Sequence, residues 1–193
     1  MKVYFLTTNT FKIAEAEHYA QWREVSTQHA VDLCVVRQDV QEILDPDITR
    51  IVRQKVVGAY AHMGYPCVVE HGGLFMDALP GLPGSVGKIV WDAVGDRMCD
   101  FLRDGDSRGA TVRSYLGYCD GRRVRVYVGE TRGHIADRAR GAYTFAWDPI
   151  FVPENQSLTY GEMGLEQKRH TSPVYKAWDA FFKEERERFK ELR

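Results

Sequence analysis

Val68-Val69-Glu70-His71-Gly72-Gly73-Leu74, followed two residues later by Asp77-Ala78-Leu79-Pro80-Gly81-Leu82-Pro83-Gly84, is the stretch on which the reading of this chain turns. An apolar run from Cys67 ends in the charged and titratable pair Glu70-His71, then a Gly-Gly step, then a Gly/Pro-rich loop. Cys67 to Glu70 has the character of a buried strand, and a glycine turn is expected after it. A strand that delivers acidic and titratable side chains into a loop is one way to build a catalytic edge. A hairpin-like turn carrying solvated charges is the plainer alternative.

Upstream, Asp45-Pro46-Asp47 opens the clearest helix. Ile48, Ile51, Val52, Val56, Ala59 and Tyr60 share one stripe at helical spacing. Lys55 lies on that stripe, where it either snorkels or turns its ammonium toward a cleft. Lys2 to Leu6 reads as a short strand. Thr7-Thr8-Asn9-Thr10 offers helix caps, and Phe11 to Trp22 a helix with Ile13, Ala16 and Ala20 on one face. Val31 to Val36 is a second strand candidate.

Downstream, Val86, Ile89, Val90, Ala93, Val94 and Phe101 suit a single amphipathic helix. Thr111 to Val128 predicts a hairpin about Asp120-Gly121, with Val124, Val126 and Val128 alternating with Arg123, Arg125 and Tyr127. A further strand is expected over Arg132 to Ala136. The connection from Arg140 to Pro153 is rich in aromatics: Tyr143, Phe145, Trp147 and Phe151. A last helix begins near Ser172-Pro173. Tyr175, Trp178, Phe182 and Phe189 make its apolar face and Glu184 to Arg188 its solvated one. Strands alternating with helices, then a hairpin, predict an α/β fold. A mixed β-sheet with flanking helices is expected, as one domain over 1–193 with two lobes around a cleft.

With 193 residues, 44% hydrophobic and 12% aromatic, the chain holds enough apolar surface for a folded core. A formal net charge of −1 argues against a dedicated surface for a nucleic-acid polymer or a membrane. No apolar run reaches membrane-spanning length, and the opening Met1 to Leu6 meets polar Thr7-Thr8-Asn9 too soon for a signal peptide. The four cysteines, Cys34, Cys67, Cys99 and Cys119, form no C-x-x-C pair, so neither a zinc site nor a disulfide framework is expected. The cytoplasm is the expected compartment.

Several pieces carry chemistry. A strand, then Thr7-Thr8-Asn9, then a helix gathers backbone N–H groups and the positive end of a helix dipole, to which Lys12 adds a point charge. Glu42 and Glu70 are the candidates for a hard cation, since Mg²⁺ takes one or two carboxylates plus phosphate oxygens and water. Phe145 and Trp147 either stack a nucleobase or form a satellite hydrophobic cluster. Asp148-Pro149 reads as a turn starter. With Lys55 and Lys168, these pieces describe a nucleotide-phosphate site.

Their order and spacing resemble the inosine triphosphate pyrophosphatase family, hydrolases of non-standard purine nucleotides, nearly end to end. Thr7-Thr8-Asn9-Thr10-Phe11-Lys12 is similar to the family's T-G-N-x-x-K loop. Val69 to Leu74 is similar to V-E-D-S/T-x-L, and Ala78 to Gly84 to A-L-G-G-x-P-G. Phe145 to Pro153 is similar to F-G-Y/W-D-P-x-F-x-P, and Thr159-Tyr160-Gly161-Glu162-Met163 with Lys168 to T-Y/F-A-E-M…K.

The resemblance implies hydrolysis of a nucleoside triphosphate to monophosphate and pyrophosphate, with Mg²⁺ (or Mn²⁺), in a homodimer. It implies Thr7, Asn9, Lys12 and Lys55 as phosphate ligands, and Glu42 and Glu70 as metal or water-positioning groups. Glu70, His71 and Lys55 become the catalytic set, and Phe145, Trp147, Asp148 and Lys168 base and sugar contacts.

Three departures from the pattern matter. His71 replaces the family's aspartate, and Ser172-Pro173-Val174 stands where it has S-H-R. Thr8 and Ala146 replace glycines, which read as mild changes. A neutral imidazole can take a proton near pH 7 but brings Mg²⁺ no negative charge. The alternatives are therefore a catalytically altered nucleotide-binding sensor, or hydrolysis of another bond of a nucleotide.

Overall fold

In a computed structural model of the chain, residues 2–27, 32–142 and 145–191 are described, without the side chains of 25–27 and 186–191. Val31, Tyr143 and the side chain of Phe189, all used in the sequence reading, lie outside the described residues.

The elements run β1 (Lys2–Leu6), α1 (Thr10–Thr27), β2 (Asp32–Val36), α2 (Ile48–Met63), β3 (Cys67–Met76), β4 (Pro83–Gly84), α3 (Gly87–Val94), β5 (Gly109–Cys119), β6 (Val124–Ile135), β7 (Phe151–Pro153), α4 (Tyr160–Lys168) and α5 (Pro173–Glu191). One sheet takes the order β2-β1-β3-β5-β6-β7, with β4 on β3. β1 is parallel to β2 and β3, whereas β3–β4 and β6–β7 are antiparallel, so the expected mixed sheet is present. Among the described residues, no helix is long and apolar enough to cross a membrane.

The chain divides into two units: 1–71 with 115–129 and 174–193, and 72–114 with 130–173. Strands β3, β5 and β6 contribute residues to both. Each unit has its own core. In the first, Val3 and Phe5 of β1, Ala16 and Tyr19 of α1, and Trp178, Phe181 and Phe182 of α5 pack together. The Tyr19 ring stacks on Phe182 at 6.0 Å and meets Tyr175 edge-on at 5.3 Å. Burying each such large side chain contributes about 1.5–3 kcal/mol. Helix α2 lies directly on β5, because a Cβ at Gly117 would sit 2.5 Å from Val52 Cγ1. Asp47 starts α2 by accepting the Thr49 N–H at 2.8 Å. In the second unit Leu74, Met76, Met98, Val112, Trp147 and Phe151 form the core.

Several expectations are corrected. Gly72-Gly73 is not a turn: β3 runs on to Met76 within the sheet, with β5 as its neighbour and with Leu74 and Phe75 paired to Gly84 and Pro83 of β4. The single helix expected over 86–101 is α3 followed by a 3₁₀ segment, Gly95–Phe101, and Ile89 is 64% exposed, off the buried face. The strand expected over Arg132 to Ala136 is the far half of β6. Along β6 Tyr127 is the buried residue and Val128 is exposed, since the Tyr127 ring packs edge-on against Phe181 of α5 at 5.5 Å. The turn at Asp120 is as expected, its carboxylate accepting the N–H groups of Arg122 and Arg123 at 2.9 and 2.8 Å.

Candidate active site

In the first unit, β1 ends at Leu6 and α1 starts at Thr10. The side chains between them serve the helix. Thr7 Oγ1 accepts the Asn9 N–H at 3.1 Å, and Asn9 Oδ1 accepts those of Phe11 and Lys12 at 2.9 and 3.2 Å. Asn9 is thus the N-cap, and it takes up first-turn N–H groups that an anion would otherwise meet. One turn in, Lys12 reaches β3. Its Nζ lies 2.8 Å from Glu70 Oε2 and donates to the Glu70 carbonyl at 3.1 Å.

Glu70 is almost fully buried, and a carboxylate so placed keeps its charge only with a cation beside it. Lys12 is that cation.

The next residue, His71, lies against a second lysine–glutamate pair. On the extended segment before α2, Glu42 Oε2 accepts from Lys55 Nζ at 2.9 Å and from His71 Nδ1 at 3.3 Å. The hydrogen bond from His71, then the charge of Lys55, hold the Glu42 carboxyl well below the usual range, at about 2. Lys55, on the apolar stripe of α2, therefore turns its ammonium to a carboxylate rather than to solvent; its side chain is 14% exposed. Glu70 and His71 are consecutive on β3, so one strand carries a residue of each lysine–glutamate group, their side chains alternating in direction along it.

The donor set bears on the metal. Among the described residues, no three His, Cys, Asp or Glu side chains cluster as a closed cation cage. What is present is two carboxylates, Glu42 and Glu70. That suits a hard cation that keeps waters and takes substrate oxygens, as Mg²⁺ does, and not a closed tetrahedral zinc site.

In the second unit the candidates form another group. Asp148 is 1% exposed and Lys168, from the end of α4, 5%. Lys168 Nζ donates to Asp148 Oδ2 at 2.7 Å. The ammonium also lies over two rings, 5.1 Å from Tyr160 and 5.7 Å from Phe145. Phe145 is only partly buried and meets Trp147 edge-on at 5.4 Å. Trp147 itself is a core residue, wedged against α3 where a Cβ on Gly87 would come within 2.8 Å of its ring. The satellite-cluster alternative thus describes Trp147, while Phe145 keeps a face.

Two features escaped the sequence reading. Helix α4 is set by a capping box: Thr159 Oγ1 accepts the Glu162 N–H at 3.3 Å while Glu162 Oε2 accepts the Thr159 N–H at 2.9 Å. The Thr159-x-x-Glu162 spacing carried that signal. The Tyr160 ring beneath Lys168 was also missed, and no local pattern announces it.

At the positions of the missing S-H-R, Ser172 is fully buried, Pro173 opens α5 and Val174 packs against the first core.

The Ham1 family model matches residues 3–184 of this chain. The chain belongs to the Ham1 family. Ham1 relatives include a dITP/XTP pyrophosphatase of Methanopyrus kandleri, 33% identical over 183 residues that cover 94% of each chain. One of the same name from Pyrobaculum aerophilum is 32% identical over 92% of each. Among solved structures, a nucleoside-triphosphatase/dITP/XTP pyrophosphatase from Mycobacterium abscessus aligns with a TM-score of 0.68 at 26% identity, covering 94% of this chain and 97% of its own. The Ham1 protein of Staphylococcus aureus shares the fold, at a TM-score of 0.72 and 20% identity over 94% of this chain and 99% of its own. The motif resemblance in the sequence and the Ham1 assignment agree.

Proposed function

We propose that this Ham1 chain is a nucleoside triphosphate pyrophosphohydrolase acting on non-standard or deoxy purine nucleotides, releasing the monophosphate and pyrophosphate. The observation that carries the reading is the pair of lysine–carboxylate contacts, Lys12–Glu70 and Lys55–Glu42, joined through His71. The named activity of relatives such as the Methanopyrus kandleri protein supports it.

The chemistry follows from charge. A triphosphate brings several negative charges, and Lys12 and Lys55 are the ammonium groups within reach of one loop and one strand. As the phosphates arrive, each lysine exchanges part of its carboxylate contact for a phosphate oxygen. The freed charge of Glu42 and Glu70 would then hold a divalent cation, Mg²⁺ or Mn²⁺, which would neutralise the triphosphate and polarise its oxygens. Water attacks the α-phosphorus, the bond to the bridging oxygen of the β-phosphate breaks, and pyrophosphate leaves. Glu70 orients that water, and His71 takes one proton from it at the ring nitrogen that does not face Glu42. A carboxylate only accepts, so Glu42 fixes the His71 ring with Nδ1 as the donor toward it. Thr7 and Asn9 act first as the frame of the phosphate loop. Within the second unit, Phe145 is the ring suited to stack a base, with Trp147 edge-on to it, and Lys168, paired with Asp148, is the base or sugar contact. The enzyme works in the cytoplasm as a homodimer.

The test is a product assay with Mg²⁺ or Mn²⁺ against standard, deaminated and deoxy nucleotides, resolved by chromatography. Monophosphate with pyrophosphate from ITP, XTP or dITP is expected, with turnover lost in Glu42→Ala and Glu70→Ala. Full turnover in the double variant would refute the mechanism, and sedimentation or light scattering checks the dimer. The sensor reading draws on one observation, that His71 and not a carboxylate faces Glu42. It predicts nucleotide-induced thermal stabilisation with no product at all.

A further inference from the structure

A cavity of about 530 Å³ opens in the second unit, lined by Arg108, His134, Asp137, Arg138 and Arg140 with residues 135–136 between them. None of these side chains belongs to the groups described above. Two of the arginines form a fixed frame. Arg108 donates from Nε to the Ile135 carbonyl at 2.8 Å and from Nη2 to that of Ala136 at 2.5 Å, with Asp137 Oδ1 3.3 Å away. Arg140 donates from Nη2 to the Ser157 carbonyl at 3.1 Å, and its Nε lies 3.5 Å from Glu162 Oε2 without making a hydrogen bond. The side chains of the other two cationic or titratable groups, Arg138 and His134, are exposed and make no polar contact among the described residues. Asp137, the one carboxylate of the lining, is already turned to Arg108.

We propose that this cavity is a second anion site, separate from the Lys12–Lys55 group, that takes a phosphate-bearing ligand. Guanidinium forks match phosphate oxygens two at a time. The frame residues are held by backbone carbonyls, so the site loses little freedom when it fills. Its volume lies in the range of small-ligand sites, about 300–1,000 Å³. That admits pyrophosphate and also the phosphate of a nucleoside monophosphate; the shared chemistry is the phosphate group. The inference concerns binding alone and does not rest on the proposed reaction.

The experiment titrates the full chain with inorganic phosphate, pyrophosphate and a nucleoside monophosphate, by calorimetry and by backbone NMR. Resonances of 134–140 should shift on addition of pyrophosphate. Arg138→Glu should weaken binding at this site at least ten-fold and leave thermal stability and turnover unchanged, because Arg138 is exposed and unpaired. Arg138→Ala should give a smaller loss of the same sign. In Lys12→Ala/Lys55→Ala the site should still titrate, and the NMR readout on the unaltered chain covers the case in which that variant does not fold. Tighter binding of the monophosphate than of pyrophosphate would assign the site to a nucleotide, and the reverse order to the free anion. The proposal is overturned if residues 134–140 do not respond to millimolar pyrophosphate, or if Arg138→Glu leaves every affinity within two-fold.

Discussion

Replacing Lys168 by Met would test whether the Asp148–Lys168 pair is part of the structure before it is part of any substrate contact. The two side chains are 2% and 6% exposed and 2.7 Å apart. Met fills much the same volume but leaves the Asp148 carboxylate buried opposite a thioether. Removing one partner of a buried ion pair costs about 3–5 kcal/mol, because the remaining buried charge loses its counter-charge. In a chain of this length each kcal/mol lowers Tm by about 2–4 °C, so a drop on the order of 10 °C is expected. The opposite change, Asp148→Asn, should cost less, about 1–2 kcal/mol. There the ammonium keeps an amide oxygen to donate to, and the faces of Tyr160 and Phe145 at 5.1 and 5.7 Å still attract it. Combining the two should cost less than the sum of the singles, which a double-mutant cycle by thermal and urea unfolding measures. A Lys168→Met protein within about 2 °C of wild type yet devoid of turnover would refute this reasoning and make Lys168 a dedicated substrate ligand.

Ala146 has φ 27°, in the left-handed region where a Cβ costs about 1–2 kcal/mol. Ala146→Gly relieves that strain against about 0.4–1 kcal/mol of added unfolded-chain freedom. It should therefore raise Tm by a few degrees; a lower Tm contradicts the account. Glu42 is held at about 2 against an ordinary value of 4.5. Its contacts with His71 and Lys55 thus contribute stability above pH about 4.5 that is lost as pH falls toward 2. Glu42→Gln should flatten that limb of the stability–pH curve, modestly because the carboxylate is 43% exposed. Burial raises the Cys67 thiol to about 12 and the Cys99 thiol to about 11, and Cys119 is buried too, whereas Cys34 is partly exposed. Native labelling with a thiol-disulfide reagent should therefore be fast at Cys34 alone and reach all four only on unfolding.

What the sequence by itself determined is what local patterns encode. The stripe of α2, the strand–cap–helix opening, the Asp120-Gly121 turn and the order of the nucleotide motifs each lie within a short window, and the motifs sufficed to indicate the family. Side-chain periodicity of 2 or 3.6 is a property of neighbours in the chain. The same windows misread Gly72-Gly73 as a turn and left open which face of the Val124–Val128 alternation is buried. Pairing with neighbouring strands, β4 and β5 among them, keeps β3 extended through the glycines, and α5, far along the chain, covers Tyr127 with Phe181 and Glu185. Tertiary structure alone also decided the partners of the site: Lys12 with Glu70, Lys55 and His71 with Glu42, Lys168 with Asp148 over Tyr160. It made Trp147 a core residue and left Phe145 its face. A charged side chain looks the same in sequence whether it ends in water or against an opposite charge. The cost of burial decides between those ends, and burial exists only once distant segments have closed over it.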